Sequence, residues 1–237
     1  MRIGILDCDD IAPELVEDFQ NYSSMFQTLL ATASGHGEHI EYVTYKACHQ
    51  EFAGSADECQ ASLITGSKTG VYDDVAWREP LRECVRQLYT SKKRLVGICF
   101  GHQLLADVLG GKAEKSSKGW GIGAIKHHKQ SDASAFQHMP DSLTLLFSHQ
   151  DQVTVLPEGA EQLYGSAFCE YGAYCIPKRV LSFQGHPEFT KEYSRRLMTL
   201  RQARYERACF ESGVDSLVNS THEHLVAQWM LDFLLGK

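Results

Sequence analysis

Cys99 stands between Gly97 and Gly101 in the pattern G-x-C-x-G, within the run RLVGICFGHQLLADVLGG at residues 94–111. The apolar LVGI segment reads as a buried strand, and an apolar helix follows from about Gly101. A strand that turns sharply into a helix has no room for bulky side chains at the turn, so both glycines are demanded. Such a turn lifts the sulfur above the sheet edge, and the helix N-terminus behind it favours the thiolate. The amide N–H of Phe100 then faces the oxyanion that develops on an attacked carbonyl. A buried core cysteine at a tight turn would carry the same letters, so this motif alone leaves two readings open.

The run VLSFQGHPEF at 180–189 supplies the other half of a reaction. Pro187 fixes its own backbone angle and biases His186 toward an extended conformation. Residues i and i+2 of an extended segment project to one side, so Glu188 lies beside the His186 ring and orients it as the base for Cys99. Both motifs fall at the carboxyl ends of expected parallel strands, where open α/β sheets carry their sites. A chance histidine in a solvated turn explains neither that shared setting nor the chain order. Catalysis is favoured.

The elements that must hold these groups follow from hydrophobic period. Strand-like runs cover Ile3–Leu6, Ile40–Tyr45, Ser62–Thr65, Leu95–Ile98, Leu143–Phe147 and Val180–Gln184. Helix-like stretches cover Val16–Ala33, Arg78–Thr90, His102–Leu109, Thr190–Ala208 and Ser216–Leu235. Alternation in the first half predicts a doubly wound α/β domain with a mostly parallel sheet and helices on both faces. Between Gly119 and Gln184 helical periodicity fades, which predicts a closing antiparallel part of the sheet, followed by two C-terminal helices. With no internal repeat or linker, residues 1–237 are expected to form a single domain.

Composition narrows the function. The chain has 237 residues, 43% hydrophobic and 22% charged, with a net charge of −7, which argues against a nucleic-acid binder and against a disordered chain. No apolar run is long enough to span a membrane, and no signal peptide is recognisable, so a cytoplasmic location is expected. The eight cysteines show no CxxC pair, so neither a zinc site nor a disulfide framework is expected. GSKTG at 66–70 and GGKAE at 110–114 fail the Walker pattern, and Gly119, Gly121 and Gly123 lack a dinucleotide-loop setting. No nucleotide, metal or other cofactor is called for.

Together, GICFGHQ around Cys99 and GHPEF around His186 strongly resemble the class I glutamine amidotransferase family, with support from ITGSKTGVYDD at 64–74 and SHQDQVTVLPEGA at 148–160. The likeness is greatest to free-standing domains similar to the glutaminase part of GMP synthase. It implies a flavodoxin-like three-layer fold and a Cys99–His186–Glu188 triad. It also implies that the Gly66 N–H joins that of Phe100 in the oxyanion hole. Gln103, Ser148 and Gln150 match positions that bind the substrate glutamine, though Gln150 stands where family members often carry a small residue. The implied activity is release of ammonia from glutamine through a γ-glutamyl thioester, for a separate synthase. A γ-glutamyl hydrolase or peptidase with the same triad is the first alternative, and a catalytically silent binding module the second. Among other residues, His102 and His149 read as structural, while His127–His128 and His222–Glu223–His224 read as solvated or capping. Arg195, Arg196, Arg201, Arg204 and Arg207 read as a solvated helix face, and Trp120 as a residue that can border the pocket.

Overall fold

Alternating side chains sort the strands between two helical layers. The computed structural model describes residues 1–34, 39–131 and 139–237. In β1 (Arg2–Leu6), Ile3 and Ile5 enter one core while Leu6 enters the other. The same alternation holds in β3 (Ala61–Ile64), β4 (Arg94–Ile98) and β11 (Val180–Phe183), where Leu63, Val96, Ile98, Leu181 and Phe183 join Ile3 and Ile5. That face is covered by α2 (Tyr22–Ala33) and α7 (Glu223–Leu235), through Phe26, Leu30, Val226 and Met230. The opposite face is covered by α3 (Arg78–Thr90) and α4 (Phe100–Val108), through Leu81, Val85, Leu104 and Leu105. Strands buried on both faces are nearly continuous apolar runs, as LVGI is and as VLSF is apart from the buried Ser182.

The remaining strands are β2 (Glu41–Tyr45), β5 (Lys112–Lys115), β6 (Gly121–Lys129), β7 (Ser142–His149), β8 (Asp151–Val155), β9 (Glu161–Gly165) and β10 (Ala173–Ile176). Among the described residues, nine strands form one sheet in the order β2-β1-β3-β4-β11-β10-β9-β6-β7, and β5 pairs with β8 in a small second sheet. The first five strands of that order run parallel, and from β11 onward every pairing is antiparallel. This is the flavodoxin-like architecture that the sequence predicts, with its antiparallel closing part in the predicted stretch. No helix among the described residues is long and apolar enough to cross a membrane.

Three expected helices prove to be composite. Val16–Ala33 divides into α1 (Val16–Phe19) and α2, because Gln20 takes a positive φ of 59° and Asn21 caps the new helix by accepting from Ser24 N. Thr190–Ala208 divides into α5 (Lys191–Leu200), a 3-10 turn at Gln202–Arg204, and the start of α6 (Arg207–Asp215). Ser216–Leu235 begins as a 3-10 turn at Ser216–Val218 and becomes helical again only at Glu223. The C-terminal part therefore carries three helices, where two are read from the sequence.

Candidate active site

Three neighbouring parallel strands deliver the candidate groups to one place. Ile64 of β3 is in register with Gly97 of β4, and Ile98 with Phe183 of β11. The chain exits of these strands therefore lie side by side at the carboxyl end of the sheet. Cys99 N donates to Phe183 O at 2.9 Å, and His186 N donates to Leu146 O at 2.7 Å, which ties the histidine segment to β7.

Cys99 sits at the N-cap of α4 with φ 52° and ψ −101°, a conformation that side chains other than glycine rarely adopt. The sharp turn explains its flanking glycines. A Cβ on Gly97 would lie 2.6 Å from Gly101 O, and one on Gly101 would press on Ile64 O and stand 2.9 Å from Ile64 Cβ. Gly66 is equally confined, because a Cβ there would lie 2.9 Å from His186 Cε1 and 3.6 Å from Cys99 Cβ. Gly66 thus leaves no room for a side chain between its backbone and the Cys99 and His186 side chains.

His186 Nδ1 donates to Glu188 Oε1 at 2.7 Å, and the His186 ring stacks on Phe189 at 3.9 Å between centroids. Both partners are buried. Burial works against a charged His186, yet the Glu188 carboxylate and the Cys99 sulfur outweigh it and hold the imidazole pKa well above its ordinary value. The buried Glu188 carboxylate therefore favours the protonated form of the His186 ring.

Cys99 opens onto a cavity of about 320 Å³ that also touches Gln103, Ser148 and Gln150. Gly66, Ser148, His186 and Cys99 border a small inner recess beside it. Gln103 Nε2 is held inside the protein, donating to Asp151 O at 2.8 Å and to Gln184 Oε1 at 3.0 Å. Phe100 buries its ring against Trp77, which leaves its backbone at the first turn of α4, where amides lack intrahelical partners. The wall residues Lys68, Tyr72, Lys115 and Asp151 are additions that the sequence does not single out, and Trp120 joins them. Tyr72 OH donates to Asp151 Oδ2 at 2.9 Å across the mouth.

Arg201 and Arg204 also line this cavity, which corrects their reading as part of a solvated face. Arg201 Nη1 reaches Ser148 Oγ at 3.4 Å. His127 is another correction, being buried and stacked on Phe147 at 4.8 Å rather than solvated. His102 and His149 are both buried, and His149 also borders the cavity. The His102 Nδ1 atom lies 2.9 Å from Ser182 Oγ, and His149 Nδ1 donates to Asp151 O at 2.9 Å. Burial pushes both rings down to about 3, so they remain neutral. Asp10, Cys48 and His49 place ligand-type atoms within 4.8 Å of one another, but they stand outside the cavity and Lys46 already lies 3.6 Å from Asp10.

The glutamine amidotransferase class-I profile matches residues 18–202. The sequence is 30% identical over 181 residues to γ-glutamyl peptidase 3 of Arabidopsis thaliana, covering 73% of this chain and 72% of that protein. It is 40% identical over 95 residues to one subunit of the glutamine-hydrolyzing GMP synthase of Archaeoglobus fulgidus, covering 40% of this chain and 51% of that one. A solved glutamine amidotransferase from Thermotoga maritima has the same fold, with a TM-score of 0.74 at 18% identity over 99% of this chain and 96% of that chain. The chain belongs to the class-I glutamine amidotransferase family.

Proposed function

We propose that this protein hydrolyses γ-glutamyl amides through a thioester on Cys99. The observation that carries the reading is the meeting of a strained, buried cysteine at a helix N-terminus with an imidazole held by a buried carboxylate. The Cys99 thiolate attacks the γ-carbonyl carbon, and the oxyanion is held by the backbone amides of Gly66 and Phe100. Collapse breaks the C–N bond, and His186 gives its proton to the departing amine. Water then attacks the thioester while His186 takes a proton from it, which releases glutamate and restores the thiolate. Glu188 keeps the His186 ring oriented throughout. Gln103, Ser148 and Gln150 border the glutamyl moiety. None of these steps calls on a metal or an organic cofactor.

Two leaving groups fit this chemistry. Glutamine would release ammonia, to be used by a separate synthase, a reading supported by the likeness to one component of a GMP synthase. A γ-glutamyl peptide would release an amino acid or short peptide, and a specific observation favours it. Lys115, Arg201 and Arg204 all reach the cavity that Cys99 opens onto. The glutamyl moiety has one carboxylate to offer them, whereas a peptide brings a second at its C-terminus. The similarity to γ-glutamyl peptidases points the same way. Steady-state kinetics on both substrates decide between them. A kcat/KM for a γ-glutamyl dipeptide about a hundredfold above that for glutamine, about 2.7 kcal/mol of transition-state preference, establishes the peptide reading. The reverse ratio, or stimulation of glutamine hydrolysis by a synthase, establishes the ammonia reading. Absence of any turnover, with no thioester on Cys99, would sink both and leave a binding module.

A further inference from the structure

The loop that carries Gly66 is gripped from behind by the exit of β1. Thr65 N donates to Leu6 O at 3.1 Å, and Cys8 N donates to Thr65 Oγ1 at 2.9 Å. Thr65 Oγ1 in turn donates to Gly66 O at 3.1 Å. On the other side of Gly66, Asp9 takes hold of Lys68 twice. Asp9 Oδ2 accepts from Lys68 N at 2.9 Å, and Asp9 Oδ1 accepts from Lys68 Nζ at 2.6 Å. Asp9 Oδ1 also accepts from Asp10 N at 2.9 Å, which fixes the carboxylate itself.

A carboxylate that is only 5% exposed must be paired to offset its loss of water. Asp9 does not line the cavity, whereas Lys68 does, with a side chain that is 56% exposed. As an ion pair alone, such a contact contributes little. Its bond to the Lys68 amide is different, because it fixes the course of the main chain two residues past Gly66. Between the Thr65 and Lys68 anchors, Gly66 has no freedom to leave the surface formed by Cys99 and His186.

We infer that Asp9 is a positioning residue for carbonyl addition: it holds the 66–68 segment so that the Gly66 N–H faces the oxyanion formed by Cys99. This deepens the reading of the site proposed above and rests on its thiolate chemistry. It has a specific consequence. An alkylating agent needs only the thiolate, whereas an acylating agent also needs stabilisation of the oxyanion. Loss of Asp9 therefore separates two reactions of one sulfur.

The test compares acylation of Cys99 by p-nitrophenyl acetate, read as the burst of p-nitrophenolate, with its alkylation by iodoacetamide, read by peptide mapping. Cys99→Ser supplies the background of the other thiols. In Asp9→Asn, acylation is expected to slow about tenfold or more while alkylation stays within about twofold. In Lys68→Met, which keeps the backbone N–H, the ratio of acylation to alkylation is expected to fall by about two- to threefold. An unchanged ratio in a folded Asp9→Asn protein overturns the inference, and so does an equal fall in both rates. Circular dichroism and thermal melting establish folding, and if Asp9→Asn does not fold, the ratio in Lys68→Met decides, an unchanged value being the overturning result. Neither reagent depends on the natural substrate. A wild-type protein that turns over no γ-glutamyl amide would therefore sink the proposed function while the ratio still judged Asp9.

Discussion

At the scale of single residues, the site joins three groups that none of the standard elements would place together by chance. Cys99 is held at positive φ, which is tolerated only because its neighbours over-determine the turn. The letters G-x-C-x-G made the sharp turn legible, although a buried core cysteine would carry the same letters, and the positive φ itself was not read from them. The His186–Glu188 contact was legible because an extended i, i+2 pair faces one way. Asp9 was not legible, since its role depends on a loop 59 residues away in sequence. The assigned roles make a kinetic prediction for Glu188→Gln. Removing the carboxylate's charge withdraws a main support of the raised His186 pKa, so the alkaline limb of the activity profile moves to lower pH. The turnover number should fall about a hundredfold or more, with KM within about threefold. A rise in KM with turnover kept would assign Glu188 to substrate binding instead.

At the scale of elements, the parallel half of the sheet was readable because its strands are apolar on both faces. The helix boundaries were less so. The break at Gln20 needs a left-handed residue, and glutamine gives no such signal. The end of α5 had a larger consequence. A 3-10 turn at Gln202–Arg204 departs from the 3.6-residue period, so the faces assigned from a continuous helix do not hold beyond Leu200. Arg201 and Arg204 thereby reach the cavity, while Arg196 pairs with Asp18 on α1. The strand β5, with the polar sequence KAEK, carries no hydrophobic alternation and is defined only by its pairing with β8. If the cations serve a second carboxylate, Arg204→Ala has a selective effect. KM for a γ-glutamyl dipeptide with a free C-terminus should rise about tenfold, the scale of one lost charged hydrogen bond. KM for glutamine should change less than about twofold. An equal rise for both substrates would show that Arg204 does not address the leaving group.

At the scale of the whole molecule, the antiparallel wing is held together around buried imidazoles. Phe147 lies between His127 and His149, at 4.8 and 5.5 Å, and His102 packs on Tyr174 at 4.9 Å. A Cβ on Gly172 would meet His127, and one on Gly121 would meet His149, so the backbone is shaped to admit these rings. Burial pushes the pKa of His102 and of His149 down to about 3, and that of His127 down to about 4. In the unfolded chain each would titrate near 6.5. Between those limits the unfolded state binds protons that the folded state refuses, so stability falls as pH falls, by up to about 1.4 kcal/mol per pH unit for each ring. His186 has the opposite sign and a different window. Its contribution is complete below about 6.5 and is lost as pH rises from there through its raised folded value, so it adds no slope below about pH 6. Urea unfolding at pH 7, 6 and 5 should therefore show a steady loss of stability. In His127→Phe, which keeps an aromatic ring against Phe147, the loss between pH 6 and 5 should be smaller by up to about 1.4 kcal/mol. The same slope in the variant as in the wild type would mean that His127 takes up its proton without unfolding, and that the packing around it yields to a charge.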